Sequence, residues 1–157
     1  MRLTVFTDYT LRTLIYLAGQ RDHLATVADI ADMHNISRHH LTKVVYQLAL
    51  TGAVRTVRGR HGGIALARAP SAINIGSVVR ASEPDFHMAA CFDKARAVCP
   101  YARCCGIQAV LGRATRAYLA ELDAVTLADL IVPVAPPDQY TIKEIKMKKS
   151  PGALSCL

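Results

Sequence analysis

Residues 26–66 read TVADIADMHNISRHHLTKVVYQLALTGAVRTVRGRHGGIAL, and the change of period at Gly52 decides the fold. Up to that glycine, apolar residues recur every three or four positions, which is the spacing of one helix face. Thr26 is placed to cap a helix over 26–34, with Val27, Ile30 and Ala31 turned inward and Asn35 ending it. A further helix starts at Ser37, carries Leu41, Val44, Val45 and Leu48 on one face, and stops at Gly52. Beyond it, Val54, Val57, Ile64 and Leu66 around Gly59 and Gly62-Gly63 indicate two strands and a glycine-rich turn. Helix, tight joint at Asn35-Ile36, helix and hairpin together predict a winged helix-turn-helix.

Upstream, Leu11, Leu14, Ile15 and Ala18 predict a helix over 7–19, with Thr7 or Asp8 as its cap and Gly19 near its stop. Downstream, Pro70 closes the wing, and Ile75 to Ser82 form a short helix that Glu83-Pro84 breaks. From 85 to about 104 no period is visible, but four of the five cysteines lie in or next to this stretch. A long amphipathic helix then runs from Cys105 to Asp123, with Ile107, Val110, Leu111, Ala114, Tyr118 and Leu122 on one stripe. Such a stripe either packs back on its own domain or forms the seam of a homodimer, which would also supply two-fold reading of DNA. Residues 126–131 suit one last helical turn. The tail from Pro133, rich in proline and lysine, is expected to be disordered. The expected organisation is therefore a DNA-binding domain over 1–82, a cysteine loop over 83–104, a dimerisation helix and short terminal helix over 105–131, and a tail over 132–157. The fold class is mainly α with a small β-hairpin.

A chain of 157 residues with 52% apolar content can bury one core, and with no Trp and 6% aromatic residues that core is aliphatic. The net charge of +7 is unevenly placed: residues 1–82 hold ten Lys/Arg against four Asp/Glu, while 83–132 hold five against six. A basic N-terminal half is the footprint of a nucleic-acid reader, because cations laid on phosphates release condensed counterions. Asp8 and Arg12 interrupt the apolar N-terminus, so it does not read as a secretory signal, and no run approaches the roughly 20 apolar residues of a membrane span. A cytoplasmic location is expected, where clustered thiols suggest metal or redox chemistry more than disulfides.

In a helix-turn-helix the first residues of the second helix face the major groove, which directs attention to Ser37, Arg38, His39, His40 and Lys43. Arg grips guanine through a bidentate fork, Ser donates to phosphate or a base, and Lys neutralises phosphate. In the wing, Arg55, Arg58, Arg60 and His61 surround glycines that permit close approach to the minor groove or to phosphates. Double-stranded DNA is the expected partner.

Cys91, Cys99 and Cys105, with Cys104 adjacent and Cys156 in the tail, lack the paired CxxC knuckles of structural zinc. Wider spacing around a loop suits a larger inorganic cluster reached from several directions. Three thiolates leave a fourth position to a carboxylate, to His87, to another thiol or to solvent.

The opening MRLTVFTDYTLR, the helix ISRHHLTKVVYQL, the wing VRGRHGGIAL, the cysteine trio and ELDAVTLADL together resemble the bacterial iron–sulfur winged-helix transcriptional repressors, and within them the nitric-oxide-sensing branch. The resemblance covers about residues 1–131. It implies a homodimeric, non-enzymatic repressor of nitrosative-stress genes that binds a palindromic operator. It further implies an iron–sulfur cluster, 4Fe-4S in preference to 2Fe-2S, held by Cys91, Cys99 and Cys105, with Asp8 as fourth ligand from the partner subunit and nitric oxide as signal. No histidine lies between Cys99 and Cys105, which favours that branch over the one regulating cysteine desulfurase. The Cys91 to Cys99 spacing is longer than usual there, and Cys104 is an additional candidate ligand. Two other readings remain open from the residues: a zinc or thiol-switch regulator, and an iron–sulfur electron carrier. The second lacks support, since no phosphate-cradling glycine motif or nucleophile triad occurs.

Overall fold

A computed structural model describes residues 2–20, 23–93 and 105–131. Three helices arrive in order, α1 (Val5–Gly19), α2 (Val27–His34) and α3 (Arg38–Leu50), followed by the hairpin β1 (Val54–Val57) and β2 (Gly63–Leu66), then α4 (Ile75–Ser82) and the long α5 (Gly106–Asp123). Short 3-10 turns lie at Pro70–Ala72, Ala90–Phe92 and Leu127–Leu130. This is the winged helix-turn-helix, mainly α with one hairpin, that the period change at Gly52 predicts. The tail over 132–157 and residues 94–104 of the cysteine loop, with Cys99 and Cys104, lie outside the described residues.

Local chemistry accounts for the boundaries. Thr26 and Asp29 form a reciprocal capping box on α2: the Asp29 amide donates to Thr26 Oγ1 at 3.1 Å, and the Thr26 amide donates to Asp29 Oδ2 at 2.8 Å. Asn35 then adopts the left-handed conformation at φ 52°, and the Ile36 amide closes back on the Ala31 carbonyl at 3.0 Å. That is the tight joint between α2 and α3. Gly52, at φ 66°, ends α3 in the same way, with the Ala53 amide reaching the Leu48 carbonyl at 3.0 Å.

The start of α1 differs from the sequence expectation. Neither Thr7 nor Asp8 caps it; the helix begins at Val5, with Thr4 Oγ1 accepting from the Thr7 amide at 3.2 Å. Thr4 is itself fixed from outside, since its amide donates to Glu83 Oε1 at 2.8 Å. A partner 79 residues away is not visible to a local reading. The buried face of α1 also rotates: Leu14 and Ala18 are in the core, but Ile15 is exposed, and Thr7, Thr10 and Thr13 are buried instead. Thr10 and Thr13 remain satisfied because their hydroxyls donate to the Phe6 and Tyr9 carbonyls at 2.8 and 2.7 Å.

β1 and β2 pair antiparallel, Val54 opposite Leu66 and Val57 opposite Gly63. Ala25 adds a bridge to Ile64, which ties the wing to the chain entering α2. A Cβ on Gly63 would lie 2.7 Å from Leu24 Cβ and 2.9 Å from the Ala25 carbonyl oxygen, so the bridge needs glycine there. Leu14, Ile30, Leu41, Val44, Ile73, Val79 and Leu127 meet in one aliphatic core. Leu127 belongs to the segment after α5, so the last of the described residues are built into the same core as the DNA-binding unit. Among the described residues, no helix is long and apolar enough to cross a membrane.

Candidate nucleic-acid interface and metal centre

Leu41, Val44, Val45 and Leu48 bury one side of α3, so the rest of the helix is turned outward. Ser37, Arg38, His39, His40 and Lys43 are all exposed, as the sequence predicts. Ser37 occupies the cap position without a side-chain capping bond, which leaves its hydroxyl free of that task. Arg38 faces Asp32 at 3.7 Å in a pair exposed at 67% and 75%, too long and too solvated to hold the guanidinium. His40 leans toward α1, its ring 6.2 Å from that of Tyr9, and lines a groove with Val5, Phe6, Lys43 and Val44. Arg55, Arg58, Arg60 and His61 are exposed on the wing, where the Gly62 amide donates to the Gly59 carbonyl at 2.9 Å and closes the turn.

Sequence reasoning missed the lower part of this face. Tyr46 is 66% exposed and Leu50 64%, continuing the row that Thr42 begins one turn earlier. The signal was available in the helical period: Thr42, Tyr46 and Leu50 stand four residues apart on the side opposite the core. Each could meet a thymine methyl or the sugar edge of a groove, contacts that carry no charge.

Asp8 stands in the first turn of α1, where an acid is favoured by the helix dipole, and pairs with Arg12 at 2.9 Å across one turn. Its side chain remains 44% exposed. Beside this pair His34, at the end of α2, meets Tyr16 edge-on at 6.0 Å. Among the described residues His34 Nε2 is buried without a hydrogen-bond partner. Burial, and then the Arg12 charge, push its imidazole below the ordinary histidine range against the opposite pull of Asp8.

Two of the three predicted cysteine ligands are described. Cys91 sits in the 3-10 turn Ala90–Phe92, and Cys105 occupies the cap position of α5; both are half-buried free thiols. Gln108 Nε2 donates to the Cys91 carbonyl at 3.2 Å, tying the first turn of α5 to the Cys91 turn. Phe92 packs on the same helix near Gly112 and stacks with His87 at 6.5 Å. His87 thus borders the cysteine segment, with its amide donating to Asp85 Oδ1 at 2.8 Å. The Cys105 side chain makes no capping bond, so its sulfur is uncommitted at the positive end of a helix dipole. Soft donors on two tethered segments fit a thiolate-bound iron centre. Cys99 lies outside the described residues, and among those described no three potential metal ligands gather.

Residues 3–133 match the family model Rrf2, described as an iron-dependent transcriptional regulator. The HTH-type transcriptional regulator NsrR of Bacillus licheniformis is 47% identical over 84% of this chain and 93% of its own length. The regulator of the same name from Bacillus subtilis is 48% identical over 83% of this chain and 90% of its own length. Among solved structures, the global cysteine regulator CymR of B. subtilis superimposes with a TM-score of 0.68 at 27% identity, covering 83% of this chain and 96% of that one.

Proposed function

Because this chain belongs to the Rrf2 family of iron-dependent transcriptional regulators, we propose that it is a homodimeric repressor that reads a palindromic operator and releases it in response to nitric oxide. The chain is a DNA-binding regulator and not an enzyme. The observation that carries the finer reading is the placement of two uncommitted thiols, Cys91 and Cys105, at the N-terminal end of an α5 that has no buried residue of its own. The same helix that would hold a cluster thus offers an unburied face to a second copy.

When bound, an iron–sulfur cluster, 4Fe-4S in this reading, supplies iron that reacts with nitric oxide. Cys91, Cys99 and Cys105 would hold it, with Asp8 of the partner subunit as the fourth ligand, as the sequence resemblance implies. The rest is the work of this chain's own residues. Arg12 orients the Asp8 carboxylate through its 2.9 Å contact, and Asp8 belongs to the first helix of the reading head. Any change in what holds Asp8 therefore acts on α1, whose buried face packs into the same core as α3. A coupling of a few kcal/mol between the Asp8 contact and head orientation is enough to change operator occupancy greatly. Arg38 and the wing arginines then gain or lose their contacts together.

Anaerobic purification tests this reading. The expected protein is brown, contains iron and inorganic sulfide, retards a palindromic duplex and releases it on nitric-oxide titration. A preparation with neither iron nor sulfide, together with Cys91→Ser, Cys99→Ser and Cys105→Ser variants that bind DNA as the parent does, overturns it. A colourless zinc protein would place the thiols in a different switch.

A further inference from the structure

The last turn of α5 is joined to the winged-helix unit at two distinct points. The first is backbone. Residues 73–75 and 125–127 run antiparallel, with the Ile75 amide donating to the Val125 carbonyl at 3.0 Å and the Leu127 amide to the Ile73 carbonyl at 2.8 Å. Asn74 reinforces this bridge, its Nδ2 donating to the carbonyls of Asp123 at 2.7 Å and Val125 at 3.3 Å. The second point lies one turn into α4. There Arg80 grips the Asp123 carboxylate bidentately, Nη1 to Oδ1 and Nη2 to Oδ2, the latter at 2.7 Å.

Gly76 makes that grip possible. A Cβ at this position would fall on Asp123 Oδ1 and lie 3.0 Å from Arg80 Nη1, although the backbone there is ordinary helix. Glycine in a helix is normally a cost relative to alanine. At Gly76 the missing methyl is the room in which the carboxylate sits.

One attachment permits a helix to pivot; two fix its direction. No residue of α5 is buried; Leu122 meets the core, and Tyr118 borders Leu3, Thr4 and Glu83, as half-buried contacts that are not directional, while Gln108 near the far end is tied to the Cys91 turn and not to the winged-helix unit. A bidentate guanidinium–carboxylate pair is directional. Over 18 residues α5 is about 27 Å long, so a tilt of about 10° at its anchored end moves the Cys105 end by about 5 Å. In a dimer joined through α5, that displacement changes the distance between the two α3 helices.

We propose that Gly76, Arg80 and Asp123 are positioning residues for operator recognition: they fix the angle at which α5 leaves the winged-helix unit and thereby the half-site separation the dimer accepts. This rests on the homodimeric, palindrome-reading function proposed above and adds how its spacing is set.

The test is binding of the full-length protein to palindromes whose half-sites differ in separation by single base pairs, alongside a duplex without a site. The parent is expected to prefer one separation at least tenfold. Gly76→Ala and Arg80→Lys, the second keeping the charge but losing the planar fork, should flatten that preference to within about threefold. Both should bind the site-free duplex within about twofold of the parent, which shows that the heads remain folded. Variants that keep the parent's spacing profile overturn the inference alone. A parent that shows no preference among separations overturns the dimeric reading and the inference with it.

Discussion

Arg38 occupies the first position of α3, and among the described residues its guanidinium has a long, solvated contact to Asp32. If, as the proposed function has it, this fork meets guanine, Arg38→Ala should cost about 1–3 kcal/mol on a specific operator and relax preference at one base pair. Lys43→Ala should instead weaken all duplexes alike and lower the salt slope by about one. Competition binding at two salt concentrations separates the two outcomes; equal losses on specific and site-free DNA for Arg38→Ala would assign it to phosphate. The exposure of these positions was legible because the start of the second helix in this motif lies outside the core whatever the sequence. Tyr46 was missed. Its outward position follows from the same period that puts Leu41, Val44, Val45 and Leu48 inside, but attention stayed on the charged residues at the start of the helix, and its 66% exposure shows it only in the structure. Tyr46→Ala should leave the thermal midpoint unchanged, as expected of an exposed site, while weakening operator binding severalfold. A loss of stability with unchanged DNA affinity would show that the side chain is structural.

Elements were legible wherever their ends are made by neighbouring residues. The α2 cap, its left-handed stop at Asn35 and the glycine stop of α3 all use partners within five positions, and all were read from the chain. The start of α1 escaped because Thr4 is held by Glu83, and the bridge between 73–75 and 125–127 escaped because it joins segments some 50 residues apart. The local caps carry a pH signature. Thr26 donates to Asp29 from its backbone, and Thr126 donates to Asp129 from its side chain as well as its backbone, and these bonds hold both carboxyls below the ordinary aspartate range. A depressed carboxyl stabilises the fold above its unfolded pKa, and the contribution is lost as pH falls through the folded value. The caps should therefore be indifferent to pH from neutrality down to about 4 and weaken only below it. Thr26→Ala should cost about 1 kcal/mol at neutral pH by chemical denaturation. That gap should persist in strong acid, because the bond lost in this variant, Asp29 amide to Thr26 Oγ1, carries no titrating group; the gap between parent and Asp29→Asn should instead narrow, and an Asp29→Asn gap unchanged at pH 2.5 would show that the cap does not depend on the Asp29 charge.

At the scale of the whole molecule, α5 is the unresolved account in a single chain. It is the longest helix described, yet none of its residues is buried, and Ile107 and Val110 are 59% and 51% exposed at the end that carries Cys105. The sequence showed the apolar stripe but not where it packs; among the described residues Leu122 alone of α5 reaches the core, and Ile107 and Val110 stay exposed. A second copy covering that stripe would bury it and bring two basic heads to one duplex. On that reading Ile107→Glu and Val110→Glu place like charges where the two helices meet. The double variant should sediment as a monomer at concentrations where the parent is a dimer. Its winged-helix unit should keep its melting behaviour, because neither side chain touches the core. Binding to a palindrome should then fall toward that of a single half-site, and the slope of log affinity against log salt should drop to about half, since each head contributes its own phosphate contacts. A double variant that remains dimeric would move the interface off α5, and one that is monomeric but keeps the parent's palindrome affinity and salt slope would show that the heads act singly.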